Sequence, residues 1–176
     1  MKYTKSFLRK RAIFLRKKNY LKVKKINFKL IFHLVKKYFR GKKIVIAGYS
    51  PSNYELDVTG FLQESFKRKF KIVLPVVKSS RNMCFKSWGY KEPLQINKFG
   101  ILEPDIKNKE IIPDLILVPL VAFDKKLNRI GYGKGYYDRI LKKIRKIKKN
   151  VIYLGVAYSF QECRSIPVNK HDFKLD

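Results

Sequence analysis

The sequence predicts a three-layer α/β/α protein whose mostly parallel sheet is preceded by two N-terminal helices. Three observations carry this. Four short apolar runs, "KIVIAGYS" (Lys43 to Ser50), "KIVLPVV" (Lys71 to Val77), "DLILVPLVAF" (Asp114 to Phe123) and "VIYLGVAYS" (Val151 to Ser159), have the form of strands buried on both faces. Amphipathic segments lie between them, so strand and helix alternate as βαβ units require. The 176 residues are 45% hydrophobic, which suits one domain with a sizeable core. The expected sheet is Rossmann-like, and residues 1–176 show no repeat, low-complexity linker or internal boundary.

Taken in order, residues 4–18, "TKSFLRKRAIFLRKK", offer Thr4 as an N-cap ahead of Phe7, Leu8, Ile13, Phe14 and Leu15, which predicts the first helix. From Val23 to Phe39, Ile26, Leu30, Leu34 and Tyr38 recur every four residues beside Ile31 and Val35, predicting a second helix with lysines on its wet face. A helix over Leu56 to Lys69 separates the first two strands. Lys78 to Ile112 is less regular and is expected to hold a short hairpin and loops bordering a site. The last helix, between the third and fourth runs, places Tyr137, Ile140, Leu141 and Ile144 on one side.

The formal net charge is +29, from 42 Lys+Arg against 13 Asp+Glu, and residues 1–43 hold 17 of the basic residues with no acid before Glu55. Such a balance favours polyanionic partners, either nucleic acid or a substrate with several phosphates or carboxylates. Lys, Ile, Asn, Tyr and Phe are abundant throughout, as AT-rich coding gives, so charge alone selects no partner. Cys84 and Cys163 stand far apart, as do His33 and His171, in no metal-ligand or disulfide spacing. The basic N-terminus has no uninterrupted apolar stretch of a secretory signal, and no segment nears the roughly 18 apolar residues of a membrane span. The expectation is a soluble, cytoplasmic protein.

The segment "NRIGYGKGYYDRILKKI" (Asn128 to Ile144) follows the third strand and opens the last helix. In an open parallel sheet, ligands bind beyond the carboxyl ends of the strands, so this loop is well placed. Gly131, Gly133 and Gly135 permit unusual backbone angles and close approach of phosphate oxygens to N–H groups, Lys134 adds a charge, and Asp138 is placed to hold magnesium against phosphates. The string is neither GxxxxGK[ST] nor GxGxxG, and a glycine-rich turn packing tyrosines is the competing reading. "GYSPSNYELDV" (Gly48 to Val58) offers Glu55 either as a buried acid for ring N–H groups or as a first-turn helix residue. "RNMCFKSW" (Arg81 to Trp88) gathers Met83, Phe85 and Trp88, for core packing or for a slot holding a flat heterocycle. Lys5 and Arg9 share a helix face, as phosphate ligands or as part of a generally basic segment.

Together these pieces resemble the 5-formyltetrahydrofolate cyclo-ligase family. "PDLILVPLVAFDKKLNRIGYGKGYYDRIL" (Pro113 to Leu141) is similar to its central signature, and "KSFLR" (Lys5 to Arg9), "GYSPSNYELDV", "FGILEP" (Phe99 to Pro104) and "IPVNKHD" (Ile166 to Asp172) resemble its other elements in order. The resemblance implies ATP-dependent closure of 5-formyltetrahydrofolate to 5,10-methenyltetrahydrofolate by a Mg²⁺-requiring monomer. It implies ATP binding by Lys5, Arg9, Gly131, Tyr132, Gly133, Lys134, Gly135, Tyr136 and Tyr137. Substrate binding falls to Glu55, Met83, Gly133, Lys134, Gly135 and Tyr136, with Lys134 and Tyr136 catalytic and Asp138 and Asp172 serving the metal. Two departures stand out. Tyr132 occupies a position where many relatives carry Arg, so one phosphate or carboxylate contact is expected to be missing or moved. The chain also stops at Asp176, short of the tail usual in the family, which bears on the final strand or cap. The alternative of another class is a nucleic-acid-binding module using the basic surface and its interleaved aromatics.

Overall fold

The computed structural model describes residues 3–22 and 26–176. Helix α1 (Lys5–Asn19) begins where expected, because the Thr4 hydroxyl accepts from Phe7 N at 3.2 Å and satisfies a first-turn donor. It ends in a 3₁₀ turn, Tyr20–Lys22. Helix α2 (Lys29–Phe39) is shorter than its predicted span, of which residues 23–25 lie outside the described residues. Its inward face also differs. Leu30 and Tyr38 are exposed, whereas Val35 is buried with Ile31, Phe32 and Phe39 packed beside it. A strict spacing of four advances by about 40° per step around a 3.6-residue helix, so the predicted stripe winds off the buried face.

The remaining elements are β1 (Val45–Ala47), α3 (Thr59–Lys67), β2 (Lys71–Val77), β3 (Met83–Ser87), β4 (Gln95–Ile96), β5 (Leu102–Glu103), β6 (Leu115–Pro119), β7 (Ala122–Phe123), β8 (Arg129–Ile130), α4 (Tyr136–Ile147), β9 (Ile152–Val156) and a 3₁₀ turn at Ser159–Gln161. The main sheet has the order β3-β2-β1-β6-β9, parallel except for β3. The "DLILVPLVAF" run divides into two strands. Pro119, lacking an N–H, ends β6, and the chain then leaves the sheet into the β7–β8 hairpin, with Ala122 opposite Ile130. The hairpin expected in the middle segment is β4–β5, and the antiparallel edge strand β3 is an addition to the expected parallel sheet.

The strands read as continuous apolar runs because both sheet faces are covered. Ile46, Ile72, Leu74, Leu115 and Leu117 face α2 and α3, meeting Val35, Phe61 and Leu62. The alternate residues Ala47, Val73, Ile116 and Val118 face Ile140, Leu141 and Ile144 of α4, together with Phe173 and Leu175 of the C-terminal segment. A third cluster joins Leu8 and Ala12 of α1 to Val121, Ala122, Ile130 and Ile166. This last contact seats α1 on the β7–β8 hairpin, across the carboxyl ends of the strands, and so positions the site.

Candidate active site

The strand order runs one way from β1 to β2 and the other way from β6 to β9, which opens a crevice beyond the ends of β1 and β6. A cleft of about 1000 Å³ occupies it, large enough for a sizeable ligand. Tyr49, Pro75, Val77 and Pro119 from the carboxyl ends of β1, β2 and β6, with Met83 from the start of β3, contribute to its lining. Gly48, where the chain leaves β1, has to be glycine: a Cβ there would lie 2.6 Å from a methyl of Leu62.

The glycine loop closes one side. Gly133 (φ +99°) and Gly135 (φ +66°) take left-handed backbone conformations that a side chain resists. Gly135 caps α4 without a side-chain bond, so the first-turn N–H groups of α4 stand at the cleft with the positive end of the helix dipole. Arg9 reaches over from α1: its Nε donates to Gly131 O at 2.7 Å, and its guanidinium comes within 3.6 Å of where a Cβ of Gly133 would be. Arg139 fixes the loop from the other side, donating to Lys134 O at 3.0 Å and Arg81 O at 2.9 Å. The Lys134 ammonium sits 3.3 Å from the ring centroid of Phe99, a residue of the β4–β5 turn. Tyr136 packs near the same ring and donates its hydroxyl to Ser79 O at 3.2 Å.

The two candidate metal ligands are both held by cations. Asp138 Oδ1 accepts from Arg129 at 2.7 Å and from Phe173 N at 3.1 Å, and Asp172 Oδ2 accepts from Lys5 and from Asn169 N. The second oxygen of each carboxylate accepts no hydrogen bond among the described residues. Arg129 is buried, and burial draws its pKa below the usual arginine value, against the opposing pull of Asp138. Glu55, on the opposite wall, is also buried. Burial raises its pKa, while hydrogen bonds from Ser52 and Tyr132 and the charge of Arg16 act in the opposite sense. Tyr137 has its hydroxyl buried without a partner, and burial with the nearby Glu55 charge pushes it up.

Every site residue singled out in the sequence, Lys5, Arg9, Glu55, Met83, Gly131 through Asp138, and Asp172, lines this one cleft. Glu55 precedes α3 by four residues rather than lying in its first turn. Met83 serves core and cleft together, while Phe85 is buried in the core and Trp88 packs against the opposite face. Arg129, Arg139, Phe99 and Arg16 were not singled out. In a chain with 42 basic residues, another arginine carries no contrast. For Arg16 a signal existed, since it follows Lys5 by eleven residues and Arg9 by seven and therefore shares their helix face with Leu8 and Ala12.

The sequence model of the 5-formyltetrahydrofolate cyclo-ligase family matches residues 2–176. The chain belongs to that family. It is thereby an enzyme of the ligase class. The 5-formyltetrahydrofolate cyclo-ligase of Haemophilus influenzae is 32% identical over 136 residues, covering 74% of this chain and 72% of its own. The solved 5,10-methenyltetrahydrofolate synthetase of Mycoplasma pneumoniae superposes with a TM-score of 0.75 at 28% identity, covering 99% of this chain and 96% of its own. That of Aquifex aeolicus gives 0.73 at 30% identity, with coverages of 98% and 87%. Nothing in these comparisons supports the nucleic-acid-binding alternative. No helix among the described residues is long and apolar enough to cross a membrane.

Proposed function

We propose that this cyclo-ligase closes 5-formyltetrahydrofolate to 5,10-methenyltetrahydrofolate while ATP becomes ADP and phosphate. The observation that carries the reading is a single cleft with two unlike ends: a cationic glycine loop at a helix start, and a buried carboxylate, Glu55, on the wall opposite. The loop suits a polyphosphate, whose oxygens accept from the N–H groups of residues 131–137 and from Lys5, Arg9 and Lys134. Glu55, as an acceptor-only carboxylate, suits adjacent N–H groups of a pterin ring.

The chemistry follows from where charge develops. The formyl oxygen attacks the γ-phosphorus and ADP departs, turning a poor leaving group into a phosphate. N10 of the folate then bonds to the activated formyl carbon, and the C–O bond breaks with release of phosphate. Such transfer needs positioning and neutralisation more than covalent help from the protein. Lys134, held by Phe99, supplies positive charge beside the transferred group, and Tyr136 orders the loop's first helical turn. Asp138 and Asp172 suit Mg²⁺ because each presents one oxygen without a hydrogen bond among the described residues, and the ion takes one or two carboxylates with phosphate oxygens and water. When bound, the ion would neutralise phosphate charge. Lys5 and Arg129 keep the two carboxylates in place. The test is the near-ultraviolet absorbance of the methenyl product after adding 5-formyltetrahydrofolate, ATP and Mg²⁺. Folded protein that gives no such product would overturn the proposal. The protein is proposed to act as a monomer in the cytoplasm.

A further inference from the structure

Arg16 is fully buried, yet all three of its hydrogen bonds go to neutral oxygens: Leu120 O at 3.4 Å, Asn53 O at 2.5 Å and the Tyr132 hydroxyl. Its Nε has no partner, and its guanidinium lies 5.5 Å from the Tyr132 ring centroid. A buried cation with so little direct compensation is costly unless an opposite charge is close. That charge is Glu55, equally buried and one hydroxyl away, because Tyr132 hydrogen-bonds to Glu55 while accepting from Arg16. A hydroxyl engaged as acceptor by an arginine has its proton available for the carboxylate, so the three groups have a defined direction.

We infer that Arg16 is a positioning residue for Glu55: acting from behind the cleft wall through Tyr132, it keeps that carboxylate ionised and oriented to accept paired N–H groups of the substrate's heterocycle. Glu55 and Tyr132 line the cleft and Arg16 does not. The cation therefore touches no ligand and works through the intervening residue. The other groups facing Glu55 are Tyr49 beyond β1, Ser52 on its own loop, whose N–H donates to Oε2 at 2.9 Å, Tyr137 at the start of α4, and Tyr158, whose hydroxyl donates to Glu55 O at 3.4 Å. None of these carries a positive charge. Tyr132, standing where many relatives carry Arg, thus hands the role of that charge to α1. A protonated Glu55 would present a donor to a ring N–H and lose one of two contacts, so the device governs affinity for the heterocycle and not for the polyphosphate.

The substrate named here rests on the folate reading; the coupling does not, and two measurements separate them. With ¹³C-labelled glutamate, the Glu55 carboxyl is assigned by Glu55→Gln and titrated by NMR in wild type, Tyr132→Phe, Arg16→Met and Arg16→Lys. Loss of the hydroxyl should move the Glu55 midpoint up by about one pH unit, a tenfold change in proton affinity. Arg16→Met should move it at least as far, and Arg16→Lys should restore part of the shift. In turnover, the acid-side rise in KM for 5-formyltetrahydrofolate should shift upward by the same interval in Tyr132→Phe, with KM for ATP unchanged within about twofold. Tyr132→Phe, a nearly isosteric change, keeps the test open if Arg16→Met does not fold. An identical Glu55 midpoint in wild type and Tyr132→Phe would overturn the coupling, as would an equal change in both KM values. A shifted midpoint in a protein without folate turnover would keep the role of Arg16 and overturn only the substrate.

Discussion

Asp124 closes the turn between β7 and β8, and replacing it tests whether that hairpin anchors the glycine loop. The residue is 2% exposed and accepts from Lys126 N at 3.0 Å, Asn128 N at 3.1 Å, Asn128 Nδ2 at 3.2 and 3.0 Å, and Ile166 N at 3.0 Å. Burial pushes its pKa up, but these donors outweigh burial and hold it below the usual carboxylate value. In Asp124→Ala, water can replace the bond to exposed Lys126. The Ile166 N–H is buried and pays its desolvation in full, and Asn128 loses its main partner. With each hydrogen bond to a charged group worth about 1.5–3 kcal/mol net, the loss should be about 3–5 kcal/mol. For a chain of this size that lowers Tm by roughly 6–20 °C, read by circular dichroism at neutral pH. The sign with pH is also set. A folded pKa below the unfolded value contributes stability that is complete above about pH 3.9 and is lost as pH falls through the folded pKa, so the gap between wild type and variant should narrow in acid. A loss under about 3 °C, or a gap that widens in acid, would refute the reasoning.

Gly133→Ala places a methyl at φ +99°, so KM for ATP should rise by tenfold or more while Tm falls by only a few degrees; unchanged ATP kinetics would remove the loop from the polyphosphate site. Lys134→Ala should lower kcat by about 10²-fold or more with little change in Tm, since the side chain is exposed and engages only the Phe99 ring face among the described residues. Phe99→Leu should show a weaker form of the same defect, within about tenfold, because it loosens the ammonium without removing it; activity equal to wild type would show that the ring does not position Lys134. Asp172→Asn releases Lys5 and removes a candidate metal ligand, so the Mg²⁺ concentration for half-maximal rate should rise several-fold, and an unchanged Mg²⁺ dependence would take Asp172 out of that role.

The layered sheet was legible because strands buried on both faces must be apolar at every position, and the four runs from Lys43, Lys71, Asp114 and Val151 are. The loop was legible too, since its glycines follow a strand and precede a helix. Less visible were the features that depend on tertiary neighbours. β3 is an edge strand whose burial comes from both the sheet and α4, so its short "MCF" gives no alternation to recognise. The break after Pro119 lies inside an unbroken apolar stretch, because Leu120, Val121 and Ala122 remain buried after leaving the sheet. The face of α2 was misplaced by trusting a spacing of four. In the site, the acids were found from sequence because acids are scarce here, whereas Arg16 and Arg129 were hidden by abundance. Only packing shows that these two arginines, among 42 basic residues, have been taken out of water.

The central claim is that phosphate is transferred to the formyl oxygen before the ring closes. Substrate carrying ¹⁸O in the formyl group tests this directly, with the released inorganic phosphate analysed by mass spectrometry after turnover with unlabelled ATP. The account predicts one ¹⁸O atom in each phosphate formed with methenyl product. Methenyl product accompanied by unlabelled phosphate would contradict it.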